Sequence, residues 1–398
     1  MCKQCNIVET NSGLKNASLD EIEIIARNIR KIGGGIVLLT GGEPFLRKDL
    51  PEIVEIFKKN KLDVRLQTAG HKVATDELIR RTFNAGARDI NISLDSLIPE
   101  KQEYINSVPK SWHEAIKSIS KVSGVYNQSA ICSFGCVLSR FNYYEIPSIL
   151  EFATSIGWYL SLVPVHITDP SLYMGFRSYD NDFVFRNEDI PRLESVFERL
   201  YRMKKEGYLL FDSPEFLKSS LQFIKTGKPT WRKNDVCDSP FLYFAVRPNG
   251  DMMVCCDWEI PGKNISLTDP KFPEIYKSKT LINKVVGITT ACNGCHYGSY
   301  PEVTISVRSP RTFVKRTILT LFQRNKIIPK TYEEMLEKIE KIINNNSKDY
   351  EIMYKYHDDL VSKLDLWKDS KGRKIIHKED MQIRKEQNRI RKPLHGNV

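Results

Sequence analysis

Ile36-Val37-Leu38-Leu39-Thr40-Gly41-Gly42-Glu43-Pro44 is the stretch that decides the fold. Its first five residues form an apolar run without alternation, the pattern of a parallel strand covered on both faces. Two glycines then let the backbone bend and approach a ligand, and Glu43 supplies a carboxylate at the strand's carboxyl end. Upstream, Ser18-Leu19-Asp20-Glu21 reads as a capping box. It opens a helix to about Ile32 whose apolar positions Ile22, Ile25 and Ile29 share a face, and Gly33-Gly34-Gly35 stops it. Downstream the rhythm repeats: helix 49–59, strand 63–68; helix 75–85, strand 88–94; helix 109–123, strand 130–138; helix 143–156, strand 159–165. Strands and helices in this order predict βαβ crossovers and a parallel sheet, with function gathered beyond the strands' carboxyl ends.

The 398 residues are 41% apolar and 27% charged, a globular composition without the run of about 18 apolar residues that a membrane span needs. The N-terminus has no signal-peptide layout, so the reducing cytoplasm is the expected compartment. Nine cysteines against seven histidines suit thiolate metal sites better than disulfides there. Net charge is +11, and residues 371–398 alone hold nine Lys or Arg against three Asp or Glu. That tail reads as solvated, and no specific nucleic acid is expected as a partner.

Cys2 and Cys5 form a C-x2-C pair one βα unit before the Gly-Gly-Glu-Pro turn. Together they resemble the radical S-adenosylmethionine (SAM) superfamily, whose C-x3-C-x2-C motif holds a 4Fe–4S cluster. Cys2 and Cys5 match its second and third cysteines; the first would lie three residues before Met1. The resemblance thus implies that the chain starts inside the motif, with a sixth strand upstream. Gly41, Gly42, Glu43 and Pro44 match the family's motif for the SAM amino group. Thr68 in Gln67-Thr68-Ala69-Gly70 resembles the third-strand end. Ser93-Leu94-Asp95 resembles the S-x-D motif, with Ser93 toward the SAM carboxylate. Leu138, followed by Asn142, Glu145 and Ile146, resembles the fifth-strand end. The arginine common a dozen residues after S-x-D is missing, and Gln4 stands where an aromatic residue is usual. The implied chemistry is reductive cleavage of SAM to a 5′-deoxyadenosyl radical, which abstracts a hydrogen atom from a substrate (peptide, sugar, or cofactor or lipid precursor). An external reductant such as flavodoxin or ferredoxin supplies the electron.

A second group comprises Cys237, Cys255, Cys292 and Cys295. It resembles the twitch/SPASM-like extension of that superfamily: a cysteine before a hairpin, Gly250-x4-Cys255 on the return strand, and a closing C-x2-C. The resemblance implies one auxiliary 4Fe–4S cluster; a four-cysteine zinc site is the alternative. Strand pleating would turn Cys255 and Cys256 opposite ways, and the spacing favours Cys255. Cys132 and Cys136, four apart on a strand, read as buried core thiols. His166 and His296 read as polar-contact or surface histidines. Arg308–Arg324 mixes basic and apolar residues, as a helix packed on the cluster domain or lying weakly on a membrane surface would.

The expected fold is α/β: a partial (β/α)6 TIM-like barrel over 1–230, an auxiliary iron–sulfur domain over 231–300, and a helical, basic extension over 301–398. The competing reading is a non-catalytic iron–sulfur or zinc protein that binds nucleic acid or a partner through its tail.

Overall fold

Helix, strand and loop alternate through the first half of the chain in a computed structural model. It describes residues 2–360 except 4, 6, 8–10, 127–129, 166–180, 233–235, 263, 298–299, 315–325 and 358. The sheet comprises β1 (Ile36–Leu39), β2 (Asp63–Thr68), β3 (Asp89–Ser93), β4 (Ile131–Leu138) and β5 (Tyr159–Pro164), all parallel and in sequential order. Around it run α1 (Leu19–Lys31), α2 (Leu50–Lys59), α3 (Asp76–Asn84), α4 (Pro99–Asn106), α5 (Ser111–Val125) and α6 (Ile146–Ser155). The Ser18/Glu21 capping box is present and α1 starts on it. A sixth parallel segment joins β5 at the Leu160–Leu210 bridge, where the Leu160 amide donates to the Leu209 carbonyl at 2.9 Å.

The two faces of the sheet differ. Leu66, Ile90, Ile92, Phe134 and Leu160 are fully buried. Phe134 meets Phe152 of α6 and Trp158, with ring centroids 5.7 and 5.1 Å apart. The register places Arg65, Asn91, Ser133 and Ser161 on the opposite, inner face, with Arg65 and Ser161 half-exposed. One face is therefore a core and the other a polar concavity, the layout of a partial barrel. The expected double-sided burial of β1 is not observed: Ile36 is 70% exposed and the rest of the strand is half-buried. β1 is the edge of the described sheet, so its outer flank has no covering strand.

Next come α7 (Ile190–Lys205), α8 (Pro214–Thr226), α9 (Lys279–Ala291), α10 (Tyr300–Arg308), α11 (Tyr332–Asn345) and α12 (Ser347–Tyr356). The expected hairpin is present but short: β6 (Ala245–Val246) pairs antiparallel with β7 (Met252–Met253). Gly250 turns it at φ +88°. The hairpin region is fixed to α1 by a buried polar residue, Asn28, whose amide donates to Leu267 O at 2.8 Å and Asp269 O at 2.9 Å.

The segment from 326 onward straps the outer helices. Ile328 N donates to Ile156 O at 3.0 Å, and Tyr332 meets His113 of α5 at 2.7 Å. Arg199 of α7 holds Asp349 at 2.6 Å. The basic tail, His166 and residues 315–325 of the basic, apolar segment lie outside the described residues. Among the described residues no helix is long and apolar enough to cross a membrane.

Candidate functional site

The Gly-Gly-Glu-Pro turn leaves β1 with Gly41 at φ +136°, a conformation that a side chain would strain. Glu43 caps a single 3-10 turn at Pro44–Leu46 and folds back to the end of β2. Its carboxylate accepts from Thr68 Oγ1 at 2.8 Å, Ala69 N at 3.0 Å and Phe45 N at 3.1 Å. Burial raises its pKa, opposed by those hydrogen bonds. Thr68 is buried, and its oxygen also accepts from Gly70 N at 3.0 Å. Sequence residues 41–44 and 68 thus form one unit across adjacent strand ends.

Ser93 closes β3 beside Gly135 of β4. Asp95 is 2% exposed, and its Oδ1 accepts from Val137 N at 2.7 Å, which clamps the β3 end to β4. Asn142 donates to Asp95 O at 2.8 Å and Val137 O at 2.9 Å. Asp95 therefore shapes the strand ends from within the sheet. Leu138 is buried at the last position of β4, and its carbonyl accepts from Val165 N at 2.8 Å. Glu145 accepts from Ser96 Oγ at 2.7 Å and Leu97 N at 3.2 Å, and pairs with Lys101. Both charged side chains of this pair are 0% exposed. Lys101 went unnoticed in the sequence, although a lysine in a stretch destined for the loop beyond S-x-D was a usable signal.

Cys2 and Cys5 are half-buried and joined by a turn, Cys5 N to Cys2 O at 3.2 Å. Cys2 Sγ stands 3.6 Å from Asn106 Oδ1 at the end of α4, and Lys3 N donates to Ile105 O at 2.7 Å. The pair is thus placed against the helix that follows the Ser93–Asp95 loop. Asn106 occupies the region where the missing arginine was sought.

Cys237, Cys255, Cys292 and Cys295 line one pocket with about 450 Å³ of free space, its mouth included. Two backbone amides point at its thiols: Asp257 N at Cys255 Sγ (3.4 Å) and Gly294 N at Cys292 Sγ (3.3 Å). Trp231 Nε1 holds Cys295 O and Arg232 holds Cys292 O, each at 2.8 Å, fixing the closing C-x2-C loop. Burial pushes the Cys255 thiol pKa well up. Thiols set around a space, with amides aimed at sulfur, fit a polynuclear cluster.

Cys256 is outside this ring; its Sγ lies 2.9 Å from Tyr300 Oη. The pleat argument for choosing Cys255 does not apply, because β7 ends at Met253 and both cysteines lie in the bend beyond it. Cys132 and Cys136 are buried, as expected, and burial raises both thiol pKa values. His296 departs from expectation. It is 0% exposed between Phe216 and Phe223, its ring without a hydrogen-bond partner among the described residues, and burial pushes its pKa down to about 3.

Residues 1–153 match the Radical SAM superfamily, and this part of the chain is a radical SAM domain. The family implies a 4Fe–4S cluster and SAM. The "Probable GTP 3′,8-cyclase" of Methanococcus maripaludis (strain C5) is 29% identical over 198 residues, 49% of this chain and 63% of that protein. The protein of the same name from Methanocaldococcus jannaschii is 29% identical over 192 residues, 48% and 62% of the two chains. The chain spans under two thirds of the length of these curated relatives. The crystal structure of Streptococcus suis SuiB aligns over 75% of this chain and 69% of that one, with a TM-score of 0.50 and 14% identity, a likeness of fold.

Proposed function

We propose that the chain is a radical SAM enzyme that abstracts a hydrogen atom from its substrate and carries one auxiliary 4Fe–4S cluster. The observation that carries the auxiliary site is the convergence of Cys237, Cys255, Cys292 and Cys295 on one pocket from three separate points of the sequence. Those four thiols would hold the auxiliary cluster, and Cys2 and Cys5 would ligate the SAM-binding one. When bound, the cluster and SAM supply one-electron cleavage and hydrogen-atom abstraction. The chain's own residues bind and orient. Glu43, fixed by Thr68, Ala69 and Phe45, receives the SAM amino group beside the Gly41-Gly42 backbone. Ser93 faces the carboxylate end, while Asp95 and Asn142 hold the β3 and β4 ends that carry it. Leu138 closes the apolar side. A flavodoxin or ferredoxin serves as electron donor.

The relatives' name makes GTP the first substrate to assay, with peptides and sugars next. Two measurements test the reading. Glu43→Ala weakens SAM binding by calorimetry with iron content unchanged; unaltered affinity counts against the motif. Cys237→Ala removes about four iron per chain; full retention refutes the auxiliary site.

A further inference from the structure

Two adjacent thiols compete for one place in the cysteine pocket. Cys255 lines the pocket; Cys256 does not. No strand pleat separates them, since β7 stops at Met253. Both are half-buried. What distinguishes them is Tyr300. Its hydroxyl oxygen accepts from Cys256 N at 2.9 Å and lies 2.9 Å from Cys256 Sγ. A phenol that accepts an amide N–H has its own proton left to direct at the sulfur. Tyr300 therefore grips one residue by both backbone and side chain.

The same tyrosine is part of the pocket wall. It is 3% exposed, and its ring packs perpendicular to Tyr243 at 4.9 Å. The side chain that shapes the cluster's space is thus the one that keeps the fifth thiol out of it.

We propose that Tyr300 is the latch that selects Cys255 over Cys256, and that Cys256 is a reserve fifth ligand of the auxiliary 4Fe–4S cluster. This rests on the auxiliary-cluster reading above. Exchange of one thiolate for its neighbour leaves the cluster's charge and iron count unchanged. Removing the Tyr300 hydroxyl takes away its hold on the sulfur and amide of Cys256, so that the bend at 254–257 can present either thiol.

The test uses the full chain with Cys2→Ala and Cys5→Ala, so that only the auxiliary site can load, and reads iron, sulfide and the reduced-state EPR spectrum after anaerobic reconstitution. The parent holds about four iron. Adding Cys255→Ala empties the site. Adding Cys255→Ala with Tyr300→Phe restores a cluster with shifted g values, and further addition of Cys256→Ala abolishes it again. Phenylalanine keeps the ring on Tyr243, and Tyr300→Phe alone, still loaded and with an unchanged melting curve, shows that the wall is intact. An empty Cys255→Ala/Tyr300→Phe variant beside a loaded parent overturns the latch, as does full loading of Cys255→Ala alone. An empty parent overturns the auxiliary-cluster reading and the latch with it.

Discussion

Replacing Glu145 with Gln removes one charge from a place where neither partner meets water. Glu145 and Lys101 are each 0% exposed, and Lys101 Nζ is also 2.7 Å from Tyr144 Oη. Gln keeps an acceptor for Ser96 Oγ and Leu97 N, so the substitution isolates the charge. Breaking a buried pair from one side leaves the other ion uncompensated and costs about 3–5 kcal/mol. For a chain of this size the melting temperature should fall by about 4–6 °C. Removing both charges, with Lys101→Met and Glu145→Gln, should bring stability back to within about 2 kcal/mol of the wild type. Burial already holds the Lys101 pKa below its ordinary range, against the pull of Glu145. Without Glu145 the lysine sheds its proton more readily, so the deficit should shrink as pH rises. Urea unfolding of wild type, both single variants and the double variant closes the cycle. A loss below about 1 kcal/mol for Glu145→Gln, or a double variant equal to the sum of the singles, refutes the buried pair as an energetic unit.

Three further outcomes are expected. Burial and the neighbouring Glu302 raise the Asp212 pKa from 3.8 to about 7. The folded state then keeps a proton that the unfolded chain releases, so stability falls as pH rises from 4 to 7 and levels off above. Asp212→Asn should flatten that slope in melting curves, and parallel profiles would contradict the assignment. Asn28→Ala strands the Leu267 and Asp269 carbonyls at a cost of about 1–3 kcal/mol. Amide exchange should accelerate over 245–269 and stay unchanged in β2–β4; uniform exchange would exclude the local anchor. Gly157→Ala puts a Cβ 2.2 Å from Lys326 O at φ +77°. That should dislodge the segment near 326 and expose it to limited proteolysis, and an unchanged cleavage pattern would show that the contact yields freely.

The barrel was legible because helical and strand patterns alternate along the chain: β2 begins and ends where the pattern placed it, and α1 begins at its capping box. The helix α4 was missed for a physical reason. Residues 101–106 are all buried, so no polar face alternates with an apolar one. The helix α9 (KTLINKVVGITTA) is rich in β-branched residues, whose helical propensity is low. The hairpin was drawn too long because the apolar Met252–Cys256 run suggested pairing that the bend after Met253 ends. Spacing and the family resemblance had named the four cysteines that line the pocket. Tyr300 was not, because its role depends on packing between segments remote in sequence. Asn28 was hidden among the isoleucines of α1 for the same reason.

The strap formed by residues 326–359 bears on how the molecule is made. Its polar contacts to α5, α7 and Arg140 bridge 147 to 219 residues of chain. The sheet's own neighbours are joined by far shorter connections. Closing a longer loop adds only about 0.6 kcal/mol per doubling, but such contacts come late because the ends must first find each other. The barrel's βαβ units can therefore assemble during synthesis, while the strap docks only after the last helices emerge. Until then the sides of α5 and α6 that meet α11 stand uncovered, and a nascent chain stalled before residue 326 lacks that cover.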